Sequence, residues 1–399
     1  MTTSVQPRCW SSRLRKRAAI PALALAFLLF SGAVPTQSAQ AQTFNVLYSF
    51  PWSNGANPYA GLVRDAAGNL YGTTFDGGAY GYGTVFEVDP TDQETVLHSF
   101  TGGNDGGTPY GGVIRDKAGN LYGATYSGGA SNVGTVFKVD PSGTETVLYS
   151  FTGTSGDGCY PSGGLLRDEM GNLYGTSANC GTSGAGTVFK VHPNGTEAVL
   201  HSFANGSKDG AVPTLTSLIM DKKGNLYGVT SEGGSADQGV AYKLSKNGKL
   251  TVLHSFTGGK TDGCDPFGTP ARDQEGNLYG TASGCGSSDE GIVWKVSNKH
   301  NETVLHNFVG GSADGALPYA GVTRDAKGNL YGNTTRGGNF NFGTVYQLTG
   351  TTLTVLQSFG GSAGGWPCDN LILDSQGNLY GTAETGGGTG WGTVWKLTP

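Results

Sequence analysis

The chain has 399 residues, 70 of them glycine, and only 14% are charged, for a formal charge of −5. Strand formers such as Val, Thr, Tyr and Phe fill the spaces between glycines, which is the composition of a turn-dense all-β protein. No block of Lys or Arg follows residue 17, so the basic stripe that neutralises nucleic-acid phosphates is missing from the rest of the chain.

Residues 1–41 differ in kind from the glycine-rich remainder. Arg8, Arg13, Arg15, Lys16 and Arg17 precede an apolar run from Ala18 to about Ala33, and a small-residue stretch ends in Ala39-Gln40-Ala41. A basic segment, an apolar segment and an A-x-A site make a secretory signal peptide. The apolar run is shorter than the ~20 residues of a membrane-spanning helix. The expected mature chain begins near Gln42 as one domain, 42–399, with no membrane span. Losing five of 25 basic residues leaves 20 against 30 acidic ones, a formal charge of −10.

From there the pentapeptide Gly68-Asn69-Leu70-Tyr71-Gly72 returns at Gly119, Gly171, Gly224, Gly276, Gly328 and Gly377. A period near 50 marks a repeat architecture. The second unit shows its four strand-like segments best: 112–116 (A), 120–125 (B), 134–139 (C) and 145–151 (D). Between A and B an Asp recurs at 65, 116, 168, 221, 273, 325 and 374, where its carboxylate can accept backbone N–H groups of a tight turn.

Strand B sets Leu beside Tyr, and adjacent residues point to opposite faces of a sheet. A small sheet apolar on both faces needs a neighbour on each side, which a closed ring supplies. The expectation is an all-β, seven-bladed β-propeller of four-stranded antiparallel blades, with a kelch-like repeat length. Val46-Leu47-Tyr48-Ser49-Phe50 reads as a D strand without a blade, and Gly392 to Leu397 as a C strand without a D strand. The N-terminal strand should therefore complete the last blade, leaving no broken sheet edge.

The unit GNLYGTT…GG…GTVFKVDP.G.ETVLHSFTGG resembles the GloVer (Gloeo/Verruco) tandem repeat, over about residues 44–399. The resemblance implies a secreted bacterial propeller-like protein, and it implies no reaction. Family members often carry a C-terminal anchoring segment, whereas this chain ends directly after its last C strand.

In such a ring the D-to-A and B-to-C connections share one face, the top. Cys159 and Cys180 flank strands A and B of blade three, and Cys264 and Cys285 hold the same places in blade five, so both pairs are expected to form disulfides in an oxidising compartment. Zinc is the rival reading of these pairs, without a nearby His to support it. Cys368 has no partner in its own blade and reads as a free thiol or an intermolecular link. His98, His201, His254 and His306 share one position in strand D and read as edge-strand residues. Asp105, Asp157, Asp209, Asp262 and Asp314 each precede Gly in a D-to-A loop. No cofactor is expected, although calcium is an alternative use of these loops.

What differs between blades points to a site. Blades six, seven and one are neighbours in a closed ring, and they carry Phe340 and Phe342, Trp366 and Trp391, and Trp52, Tyr80 and Tyr82. With Arg336 and Asp369 these would form an aromatic arc on the top face, suited to an extracellular glycan or a protein ligand. The residue after each loop proline, from Tyr59 to Cys368, should line the mouth of the central channel. The favoured reading is a monomeric binding module. A propeller enzyme of lyase, lactonase or glycosidase type would need carboxylates converging at that mouth, for which Asp76, Glu232, Asp369 and Glu384 are the candidates. A structural or adhesive cell-exterior protein is the third reading.

Overall fold

A computed structural model describes residues 42–154 and 156–398; the expected signal peptide lies outside them. Seven antiparallel sheets stand around one axis. Blade one is typical: strand A is Val63–Arg64, B Leu70–Thr74, C Thr84–Val88 and D Glu94–Ser99. Two two-stranded ribbons cap blades four and six, and among the described residues the helical content is one short turn, Gly361–Ala363.

The ring closes as the termini of the sequence require. Thr43–Ser49 pairs antiparallel with the last C strand, Thr393–Thr398, with Thr43 opposite Thr398 and Ser49 opposite Thr393. Strand A departs from expectation: in blade two it is only Ile114–Arg115 rather than 112–116. The preceding glycines run inward to the axis and leave the ladder.

Each part of the pentapeptide has its own cause. The Leu and Tyr of strand B are buried on opposite faces, Leu70 at 2% and Tyr71 at 7% exposure. The final glycine makes room for the aromatic residue of strand C, since a Cβ on Gly72 would lie 2.7 Å from Phe86 Cζ. That ring meets the aromatic residue ending strand D of the preceding blade. The pairs run Phe50–Phe86, Phe100–Phe137, Phe151–Phe189, Phe203–Tyr242, Phe256–Trp294, Phe308–Tyr346 and Phe359–Trp395, with centroids 4.9–5.6 Å apart. The core is thus seven inter-blade layers, and burying these rings is the main stabilising term.

The recurring turn Asp residues act locally. Asp116 Oδ1 accepts the N–H of Ala118 and Asn120, and Oδ2 accepts from the Asn120 amide and the Tyr122 hydroxyl. Burial alone would raise these carboxyls, but the hydrogen bonds outweigh it and lower all seven, Asp221 to about 2.

Candidate functional site

On the top face every D-to-A loop makes the same unusual turn. Asn57, Thr108, Tyr160, Val212, Asp265, Leu317 and Trp366 each precede a proline and adopt left-handed φ between 50° and 58°. A non-glycine residue there costs about 1–2 kcal/mol. The cost is offset by a hydrogen bond from each of these N–H groups to a B-to-C carbonyl of the preceding blade, for example Asn57 to Trp391 at 2.9 Å and Thr108 to Tyr82 at 2.8 Å. The turn aims the residue after the proline at the axis.

The residues so aimed divide the mouth into two halves. On blades one to three, Tyr59, Phe75, Tyr110, Tyr126 and Tyr160 form a ladder with successive ring contacts of 4.4–5.6 Å. On blades three and four the equivalent positions are small, Ser162, Ala178 and Thr214, and a cavity of about 80 Å³ opens between them and the ladder. Tyr110 and Tyr126 line one side and Val212 and Leu215 the other, with Asn179, Ser162 and Ser217 supplying polar groups.

The cavity has a floor. A Cβ on Gly111 would lie 2.4 Å from Gly163 O, and one on Gly163 would lie 2.0 Å from Thr216 O, so neighbouring backbones are in contact around the axis. Asn370 locks this ring: its amide donates to Thr269 O at 3.1 Å and its Oδ1 accepts from Gly321 N at 3.0 Å, joining blades five, six and seven.

Acidic groups gather between blades seven and one. The Tyr59 hydroxyl donates to buried Glu384 at 3.0 Å. Burial, then the negative charge of Glu384, drives the Tyr59 hydroxyl far above its ordinary range, and burial with nearby Tyr126, Asp76 and Glu384 pushes Tyr110 to about 12. Asp369 lines the same cavity and accepts the N–H groups of Gly61 and Asn370, yet burial raises its carboxyl to about 6. Burial likewise pushes half-buried Asp76 to about 6.

The structure divides the residues of the expected arc. Trp52 and Trp391 touch edge to face at 4.9 Å and are 44% and 41% exposed. Phe342 stacks on Trp366 at 6.1 Å, and the Arg336 guanidinium lies 5.5 Å from the Trp366 centroid. Tyr80, Tyr82 and Phe340 are exposed; Tyr82 lies over Gly102 and Phe340 over Gly360. Asp369 is not among them, because the turn after Pro367 carries it down into the cavity. Sequence reasoning misses Phe75, Tyr126 and Tyr160. Their signal lies at two variable repeat positions, the residue after the last Thr of strand B and the residue before the loop proline.

Both expected disulfides are present, Cys159–Cys180 and Cys264–Cys285, and no described cysteine is a free thiol, Cys368 included, which corrects the free-thiol expectation. The strand-D histidines are more than edge residues. Each is half-buried and reaches the Asp of its D-to-A loop, at 3.4 Å for His98–Asp105 and 3.0 Å for His201–Asp209. Those Asp residues also cap the loop, as Asp262 does by accepting from Thr257 N and Gly263 N. His254, Asp262 and Glu302 bring ligand atoms within 4.8 Å of one another, with the oxygens of Asp262 already serving the loop. Glu232 sits in the blade-four ribbon, paired with Ala211.

The Gloeobacter/Verrucomicrobia repeat model matches residues 30–219 and 214–399. No curated protein matches the sequence. Among solved structures, the extracellular domain of a candidate hybrid two-component system of B. thetaiotaomicron is similar at TM-score 0.57 and 11% identity, covering 90% of this chain and 41% of that one. A candidate 6-phosphogluconolactonase of Bacteroides uniformis aligns at TM-score 0.51 and 16% identity, over 79% and 88% of the two chains. At such identities the likeness is one of fold. Among the described residues no helix is long and apolar enough to cross a membrane.

Proposed function

The chain belongs to the Gloeobacter/Verrucomicrobia repeat family, and we propose that it is a secreted binding module that takes an extracellular glycan on its top face. Two disulfides support an oxidising compartment outside the cytoplasm. The observation that carries the reading is the set of exposed rings on adjoining blades six, seven and one: Phe340 at 64%, Phe342 at 40%, Trp391 at 41%, Trp52 at 44%, Tyr80 at 61% and Tyr82 at 45%. Several rest on a neighbouring blade, as Tyr82 does over Gly102, so they are ordered before any ligand arrives and binding immobilises little. Flat apolar rings with few charges suit the faces of sugar rings. The aromatic-walled cavity at the axis, with Asn179, Ser162 and Thr214, would take the end of such a chain.

The test is calorimetry of the mature, disulfide-intact protein against neutral polysaccharide fragments, with and without calcium. Trp391→Ala should weaken a bound fragment by about tenfold or more while the thermal midpoint barely moves. Unchanged affinity in Trp391→Ala and Tyr126→Ala alike would sink the reading.

A second reading, an enzyme of lyase, lactonase or glycosidase type, is favoured by one observation: Asp76, Asp369 and Glu384 all neighbour the mouth tyrosines, and two of these carboxyls are raised to about 6. Groups so poised can exchange protons near neutral pH. Turnover of an ester or glycoside substrate that Asp369→Asn and Glu384→Gln abolish would establish it.

A further inference from the structure

The bottom face of blade four breaks the charge pattern of the molecule. Its A-to-B turn reads Asp221-Lys222-Lys223-Gly224, where blades one, three, five and seven place no lysine and blades two and six place one, Lys117 or Lys327. Its C-to-D turn adds Lys246 and Lys249, and Lys246 packs beside the first turn, its Cβ 4.0 Å from where a Cβ on Gly224 would stand. Lys222, Lys223, Lys246 and Lys249 are all exposed. With Asp221, Asn225, Tyr227 and Gln274, the residues Lys222, Lys223, Lys243 and Arg272 line an open groove of about 600 Å³.

Part of this is scaffold. Lys243 and Arg272 cover the Tyr227 ring at 5.9 and 5.1 Å, and the same sandwich recurs around Tyr279 and Tyr380. The four turn lysines have no such repeat role. The carboxylates nearby are engaged, Asp221 by Asn225 and Tyr227 and Glu275 by Asn277. Clustered cations on a protein with more acidic than basic residues cost self-repulsion and gain from an anionic partner.

We propose that this groove is a second binding site, for an anionic polysaccharide such as a uronic-acid chain, on the face opposite the aromatic rings. The chemistry of the groove selects that class. Its Tyr227 ring is covered by cations, which leaves no open aromatic face for a nucleic-acid base to stack on. None of the large exposed apolar side chains lines it, so nothing there would insert into a membrane. A row of exposed ammonium groups beside a groove matches carboxylates spaced along a polymer.

The experiment measures binding of polygalacturonate to the mature protein, with neutral dextran, RNA and phosphatidylglycerol vesicles as alternatives. Lys222→Glu/Lys223→Glu should weaken polygalacturonate binding by about tenfold or more. The matched reversal Lys117→Glu/Lys327→Glu, equal in net charge, should change it by less than about twofold. Wild-type binding should weaken as ionic strength rises from about 0.01 to about 0.15 M, and dextran should not compete. Because the substituted side chains are exposed, the thermal midpoint of both variants should match wild type. Absence of polygalacturonate binding, equal loss in both reversals, or tighter capture of RNA or vesicles through Lys222 and Lys223 overturns the proposal. Binding lost in Trp391→Ala but kept in Lys222→Glu/Lys223→Glu would place the anionic chain on the top face, refuting the groove while leaving the aromatic site standing.

Discussion

At three blade junctions a glutamate opening strand D faces the loop Asp of the preceding blade: Glu145 faces Asp105, Glu197 faces Asp157 and Glu302 faces Asp262. Burial first, then the charge of that Asp, raises each glutamate from an ordinary 4.5 to about 7. One oxygen of each is buried without a hydrogen-bond partner. A group raised in the folded state contributes stability that is whole below its unfolded pKa and lost as pH climbs through the folded one, here between about 4.5 and 7. A rise to about 7 corresponds to about 3.4 kcal/mol. At half-exposed sites solvent screening reduces this to about 1 kcal/mol each, or about 3 for the three. The triple variant Glu145→Gln/Glu197→Gln/Glu302→Gln should therefore match wild type in urea denaturation near pH 4 and exceed it by about 3 kcal/mol near pH 8. A difference that does not vary with pH, or a loss of stability near pH 8, would refute the reasoning.

Three further outcomes follow from the packing. Gly163→Ala puts a methyl group 2.0 Å from Thr216 O and should cost about 3 kcal/mol or more in denaturant melts; Gly156→Ala, in open space though at φ 96°, should cost only about 1. Replacing both cysteines of Cys159–Cys180, which closes a loop of 21 residues' separation, should lower stability by about 3 kcal/mol on the loop-entropy account, and a reductant should then add only the loss of the remaining bridges. Asp116→Ala leaves two turn N–H groups and the Tyr122 hydroxyl without their acceptor and should cost about 1–3 kcal/mol above pH 5; because the hydrogen bonds hold the Asp116 carboxyl below its ordinary range, the cost should shrink only as the pH falls through that lowered folded value.

The repeat made the ring legible from the residues alone. Leu and Tyr side by side in strand B require partners on both faces, and seven such units with a lone D strand first and a lone C strand last can satisfy that only by closing. The spacing of Cys159 and Cys180 around two antiparallel strands likewise set their pairing before any coordinates. These are local consequences of period-two geometry, written seven times. The cavity was legible in part: Tyr59, Tyr110, Ser162 and Thr214 follow their loop prolines and line it as expected, whereas Tyr126, Ala178 and Val212 come from two repeat positions whose meaning depends on the left-handed turn before each proline, and that turn is held by a hydrogen bond to another blade. The Asn370 bonds to blades five and six were hidden for the same reason, since they join residues that no repeat places next to one another, whereas the His–Asp contacts recur at fixed repeat positions and were missed because the histidines read as edge residues. Asp369 shows the limit most directly, since its sequence neighbours suggested the exposed arc, whereas the chain after Pro367 turns it into the cavity at a crowded axis, where it is partly buried and its carboxyl is raised.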